Sequence, residues 1–305
     1  MPDIYTMIHY KSIGKSALEV SEIGFGCMSL KGNETENIRL IHRAIDSGIN
    51  FFDTADLYDK GQNEITVGKA IQNKREKIIL ATKVGNQWRE DGSGWDWNPR
   101  KEHILKAVEK SLGRLQTDYI DLYQLHGGTI NDPIAETIEA FEILKQQGKI
   151  REYGISSIRP NVIREYIKQS GIATVMMQYS LLDRRPEEEC LPLLQQNNIG
   201  VLARGSLAQG LLAGKPAKEY LGRTATETAK AAALVNELSL GNRKAAQTAI
   251  QFALLQPGIT SVIAGIRNEE QLEEAIKATE VISLTASDLK ILKAAVAPNF
   301  YTDHR

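Results

Sequence analysis

Short apolar runs rich in β-branched residues alternate along the chain with longer stretches whose apolar positions recur at helical spacing. The runs are Ile23–Met28, Ile49–Thr54, Lys77–Val84, Asp118–His126, Ile150–Ser156, Thr174–Ser180, Gly200–Leu207 and Ile259–Gly265. Each is apolar on both faces, the pattern of strands buried in a parallel sheet rather than half exposed. The stretches between them read as helices: Glu34–Ser47, Asn63–Asn73, Pro99–Leu115, Asp132–Gln147, Pro160–Gln169, Pro186–Asn197 and Glu269–Ala278. Asn33 with Glu36 three residues on is a helix-start signature, and Gly48 and Gly148 stand where helices stop before a strand. Strand then helix, repeated over about 260 residues, predicts the α/β class and a single (β/α)8 TIM barrel. A doubly wound open sheet is the alternative.

Two pieces fall outside the repeat. Tyr10–Ser21, with Gly14-Lys15 between short alternating runs, reads as an N-terminal β-hairpin placed to plug the barrel, and Thr285–Val296 reads as an extra C-terminal helix. The alanine-rich Thr224–Leu238 reads as an amphipathic helix. No Pro/Ser-rich linker interrupts the chain, so residues 1–305 are expected to form one domain.

Composition narrows the function classes. With 42% apolar and 25% charged residues the chain can build a sizeable core, which excludes disorder. A net charge of −1 provides no basic field for nucleic acid or anionic membranes, so neither is an expected partner. Cys27 and Cys190 are too few for a disulfide framework. Met1–Ser16 lacks the layout of an export signal, and nowhere do eighteen apolar residues run together, so a cytoplasmic protein is expected. The five histidines are scattered and neither cysteine has a ligand-like spacing, so no metal site is expected.

In a barrel of this kind reactive groups gather where strands end. Asp53 ends the second run, with Tyr58 in the loop behind it; Lys83 closes the third and His126 the fourth. Taken singly, each has an ordinary role: a turn cap, a loop aromatic, a solvated strand end, a core histidine. Four at successive strand ends change the odds. Hydride delivery to a carbonyl carbon leaves negative charge on oxygen, and an acid must supply a proton near neutral pH. Bringing a phenol from its usual pKa of about 10 to near neutrality takes about 4 kcal/mol. An ammonium at about 4 Å supplies about 4 kcal/mol at an effective dielectric near 20. Asp53 would keep that lysine charged and aimed, and His126 would orient the carbonyl oxygen by a hydrogen bond.

These residues lie in stretches that resemble the aldo-keto reductase superfamily over nearly the whole chain. Gly48-Ile49-Asn50-Phe51-Phe52-Asp53-Thr54-Ala55-Asp56-Leu57-Tyr58 is similar to its first signature. The run from Ser111-Leu112 through Arg114-Leu115 and Thr117-Asp118-Tyr119-Ile120-Asp121-Leu122 to His126 is similar to its second. The resemblance implies a bacterial NADPH-dependent oxidoreductase that reduces small aldehydes or ketones to alcohols, with Tyr58 as proton donor and Asp53, Lys83 and His126 as its partners. It implies no obligate protein partner.

Cofactor positions follow from the same resemblance. Gly26, Cys27, Met28 and Asp53 would line the dinucleotide, and Ser156, Ser157 and Gln178 would hold the nicotinamide carboxamide. Gly205-Ser206-Leu207-Ala208-Gln209-Gly210 is similar to the family's loop over the pyrophosphate, with Gly205, Ser206, Leu207, Ala208 and Gly210 as contacts. Gly265, Ile266, Arg267, Gln271 and Glu274 match positions at the adenosine end, and Arg267 favours NADPH over NADH by taking a 2′-phosphate. The chain departs from the pattern at Ser157, where asparagine is usual, and at Ala264, Ile266, Gln271 and Ala275. Arg204 stands where many members stack a tyrosine on the nicotinamide. A guanidinium there would favour neutral NADPH over NADP⁺.

Trp88, Trp95 and Trp97 all fall after the third run, where they would either line a substrate pocket or bury the underside of their own loop. Three rival readings complete the set. One is a redox sensor or accessory subunit that binds cofactor with little turnover. In another, Lys83 is a Schiff-base nucleophile. The third is an open-sheet dinucleotide domain, for which Gly24-Phe25-Gly26-Cys27-Met28-Ser29 lacks the third glycine.

Overall fold

Eight parallel strands close on themselves: Ile23–Gly26, Phe51–Asp53, Ile79–Val84, Ile120–Leu125, Ile150–Ser156, Thr174–Gln178, Gly200–Arg204 and Ile259–Gly265. Each pairs with its successor, and the eighth returns to the first with Val262 opposite Ile23 and Gly265 opposite Gly26. Closure leaves no edge and removes the open-sheet alternative. The computed structural model describes residues 8–305. Residues 1–7, part of the Met1–Ser16 stretch and of the domain read over 1–305, lie outside the described residues.

Several strands are shorter than their apolar runs, for local reasons. Asn50 leaves the ladder because its side chain ties the hairpin to the barrel, accepting from Ser21 N at 2.7 Å and donating to Glu19 O at 2.8 Å. Ser180 and Asp183 close a tight turn that ends the sixth strand at Gln178. Gly205, at φ 74°, turns the seventh strand out after Arg204.

Inside the cylinder, Phe51, Ala81, Leu122, Met176, Leu202 and Ile263 pack with Ile13, Leu18 and Val20 of the hairpin Tyr10–Ser12/Glu19–Ser21. The hairpin therefore plugs the barrel, as its alternating pattern predicts. A larger apolar layer lies between the outer strand faces and the helices. The helix Ala286–Ala295 follows the repeat, and Ala225–Glu237 is helical behind a Thr224–Glu227 capping box. Among the described residues, no helix is long and apolar enough to cross a membrane.

Two elements went unforeseen. The helix Ala245–Leu254 is buried at every position after Ala245, so no polar face marks its period. Asn86–Trp88 and Trp95–Trp97 form a second antiparallel hairpin after the third strand.

One polar knot ties the fourth strand to its neighbours. Asp121 is fully buried and accepts from Leu80 N at 2.9 Å. It also pairs with Arg75 at 2.7 Å and Arg151 at 2.8 Å, and both guanidinium groups stack on Tyr119, at 3.9 and 4.2 Å from the ring centroid. Removing the carboxylate leaves the Leu80 N–H without its acceptor and takes the shared anion from two guanidinium groups. Asp121→Ala is expected to lower unfolding free energy by about 3 kcal/mol in urea titrations; a loss below about 1 kcal/mol would show that the knot contributes little.

Candidate active site

The second, third and fourth strands present Asp53, Lys83 and His126 at the same end of the barrel, and a short loop brings Tyr58 over them. That loop is fastened from below. Thr54 Oγ1 donates to Asn63 Oδ1 at 2.7 Å, and Asn63 Nδ2 donates to the Cys27 carbonyl at 2.9 Å. Glu64, wholly buried, accepts from Thr82 Oγ1 at 2.6 Å and pairs with Arg114 at 2.6 Å. After Tyr58 the backbone is left-handed at Asp59 (φ 48°), Lys60 (φ 53°) and Gly61 (φ 85°). Two non-glycine residues in succession in that region store strain that the surrounding bonds must hold.

Lys83 is at the centre, 1% exposed. Its ammonium donates to Asp53 Oδ2 at 2.7 Å, the Thr54 carbonyl at 2.7 Å and Tyr58 Oη at 3.2 Å. Three N–H donors meet three acceptors, so its direction is fixed. Gln124, hidden in the sequence inside an apolar run, approaches the other carboxylate oxygen of Asp53 at 3.4 Å. The His126 ring meets Tyr58 edge to face, 5.6 Å between centroids and 83° between planes. All four predicted residues therefore converge.

Burial opposes a charged Lys83, but Asp53 and Tyr58 more than offset it and hold the ammonium charged. A sealed, triply bonded ammonium has no free lone pair, which argues against the Schiff-base reading. His126 is pushed down to about 3, by burial first and then by the charges of Lys83 and Arg204, so its ring is neutral at physiological pH. The phenol of Tyr58 differs from the sequence expectation. Lys83 does pull it toward acidity, but burial and the charge of Asp53 outweigh that pull and raise it above the ordinary tyrosine value. In the free protein the group holds its proton firmly.

The remaining strand ends carry the residues expected to grip a dinucleotide. Ser156 is partly buried and Ser157 buried, with Ser157 Oγ accepting from Arg159 N at 3.2 Å. Gln178 and Arg204 face each other in the ladder and are bonded at 3.0 Å. In the loop from Gly205 to Gly210, Ser206 and Ala208 are buried, Leu207 is partly buried, and Ala208 and Gly210 are left-handed. Leu207 and Ala208 form a right-handed then left-handed pair, the conformation of an anion-binding nest.

Arg267 is exposed just ahead of the helix Glu269–Lys277, where a helix N-terminus also favours an anion. Gln271 folds back to accept from Arg267 N at 3.1 Å, and Glu274 pairs with Lys244 at 2.6 Å. Gly26, Cys27 and Met28 follow one another at the end of the first strand, but Cys27 is buried while Met28 is 62% exposed. Ile266 is also buried, so neither Cys27 nor Ile266 presents its side chain at the surface. A strained loop with nest geometry and an exposed guanidinium at a helix start fit a phosphorylated dinucleotide.

Beside Tyr58 opens a cleft of about 770 Å³, lined in part by Met28, Leu30, Leu57, Trp88 and Trp95. The tryptophans divide between their two expected roles. Trp88 and Trp95 line the cleft, and Lys60 stacks over Trp88 at 5.3 Å. Trp97 instead lies on Gly85, where a Cβ would stand 2.6 Å from its ring, and its indole N–H donates to Asp132 at 3.0 Å.

Comparison with known proteins agrees with this geometry. The model of the aldo/keto reductase family matches residues 22–297. An uncharacterized oxidoreductase, YqkF of Bacillus subtilis, is 50% identical, covering 97% of this chain and 99% of its own. The NADH-specific methylglyoxal reductase of Escherichia coli is 30% identical over 92% of this chain and 96% of its own. The holo structure of aldo-keto reductase AKR11C1 from Bacillus halodurans superposes with a TM-score of 0.92 at 48% identity, covering 98% of this chain and all of that one. With a closed eight-stranded barrel, a site at its strand ends and relatives matched along almost its full length, the chain belongs to the aldo/keto reductase family of oxidoreductases.

Proposed function

We propose that the protein reduces small aldehydes or ketones to alcohols with NADPH, Tyr58 being the proton donor. The observation that carries this reading is the Lys83 ammonium bonded at once to Asp53, Thr54 and Tyr58. When bound, NADPH supplies the hydride for the carbonyl carbon. Charge then collects on the substrate oxygen, and Tyr58 gives up its proton to that oxygen. The phenolate left behind is stabilised by Lys83, which keeps all three of its N–H donors aimed. Solvent reaches Tyr58 through the cleft and restores its proton.

His126 acts as a neutral donor. Its uncharged ring would give one N–H to the carbonyl oxygen. Ser156, Ser157 and Gln178 would hold the carboxamide, and Arg204 would lie against the nicotinamide. Arg267 would take the 2′-phosphate, which sets this chain's expected preference apart from the NADH-specific relative. Buried, unpaired Cys27 and Cys190 suit a reducing cytoplasm.

Three measurements test the reading. Tyr58→Phe is expected to bind NADPH as the parent does while kcat falls by about 10²–10⁴-fold; undiminished turnover would remove Tyr58 as the acid. Because Tyr58 is raised and His126 stays neutral, kcat/KM for reduction should be level through neutral pH and fall only above about pH 10, as the free phenol ionises. A titration near pH 7 would contradict both assignments. Arg267→Leu should weaken NADPH binding by about tenfold or more and leave NADH nearly unchanged, read by calorimetry with each dinucleotide.

A further inference from the structure

Gln178 closes the sixth strand at the point where three separate segments meet. Asp183, fully buried in the tight turn that follows, accepts Gln178 Nε2 at 2.9 Å. Tyr220, from the loop after the seventh strand, accepts the same nitrogen at 3.1 Å. Arg185 grips both oxygens of Asp183, each at 2.7 Å, and lies over the ring of Tyr301 in the C-terminal tail at 5.1 Å. On the other side, Arg204 Nη1 donates to Gln178 Oε1 at 3.0 Å.

The two ends of a glutamine amide are nearly the same in shape, and only their partners decide which way it points. Here the partners leave no choice. An ionised carboxylate is acceptor-only and a guanidinium is donor-only. Turning the amide over would set Oε1 against Asp183 and Nε2 against Arg204, two contacts of like polarity. Gln178 must therefore keep its carbonyl oxygen beside Arg204. That oxygen has two lone pairs, of which Arg204 takes one, so the other can accept only from an N–H or O–H donor.

We infer that Asp183 is a positioning residue that fixes the polarity of Gln178, and thereby makes the site select a nicotinamide ring bearing a carboxamide N–H. The inference rests on the dinucleotide reading above and deepens it. Asp183 touches neither cofactor nor substrate; it acts through the amide it orients. Tyr220 shares the load without setting the sense, because a hydroxyl both donates and accepts and would tolerate either orientation.

The test compares NADP⁺ with its 3-acetylpyridine analogue, in which a methyl group replaces the carboxamide NH₂, by calorimetric Kd on the intact protein. The wild type should bind NADP⁺ about tenfold tighter, the worth of one hydrogen bond. On an Arg204→Leu background, where no second partner of fixed polarity holds the amide, the near-isosteric Asp183→Asn should drop that ratio below about threefold, while Arg204→Leu alone should keep it. Tyr220→Phe should keep it. Equal binding of both compounds by the wild type, or full discrimination by the Arg204→Leu/Asp183→Asn double variant, overturns the inference. Failure of the wild type to bind either compound overturns the proposed function as well, which separates the two failures. Should the double variant not fold, the wild type still decides. The Gln178 side-chain amide protons, assigned by NMR from their loss in Gln178→Glu, should exchange slowly with solvent if they face Asp183 and Tyr220. Fast exchange means the reverse orientation.

Discussion

An ammonium ion sealed from water beneath the mouth of a barrel is the constraint around which the rest of this molecule is arranged. Such a charge costs several kcal/mol to bury unless it is paired and every N–H is satisfied. Lys83 meets that condition with one carboxylate, one carbonyl and one phenol, all from the segment Asp53–Tyr58. The loop must therefore hold a narrow course, and its strained continuation at Asp59 and Lys60 is held by the Asn63 and Glu64 ties. Stability and chemistry draw on the same three bonds.

The barrel also separates labour around its rim. Strands two to four supply the groups that handle the proton, whereas strands five to eight supply those suited to gripping a dinucleotide. Arg204 is where the halves communicate, since its charge helps to keep His126 neutral on the other side. A cation in that position acts on the histidine through space while holding Gln178 through a direct bond.

Much of this was legible in the sequence. Apolar runs located all eight strands, and the strand-end rule found Asp53, Tyr58, Lys83 and His126 because each polar residue interrupts or follows such a run. What escaped detection had no periodic signature. The helix Ala245–Leu254 has apolar or buried residues all round, and Gln124 and Asp121 alternate with apolar neighbours inside a strand. The phenol's acidity was misjudged for a different reason: a pairwise Coulomb sum omits burial, which depends on how the whole loop folds down over Tyr58. The orientation of Gln178 was likewise beyond sequence, since its partners lie 5, 26 and 42 positions away.

Because the last strand hydrogen-bonds to the first, a nascent chain cannot assemble the ring until Ile259–Gly265 has left the ribosome. The expected adenosine-end residues, Gly265 to Glu274, emerge in that same final stretch. Any ligand that needs both ends of this groove can reward only the closed ring, so a fragment ending before Ile259 would gain nothing from abundant dinucleotide. A dinucleotide that spans the groove would thus stabilise molecules with a closed ring selectively over open fragments.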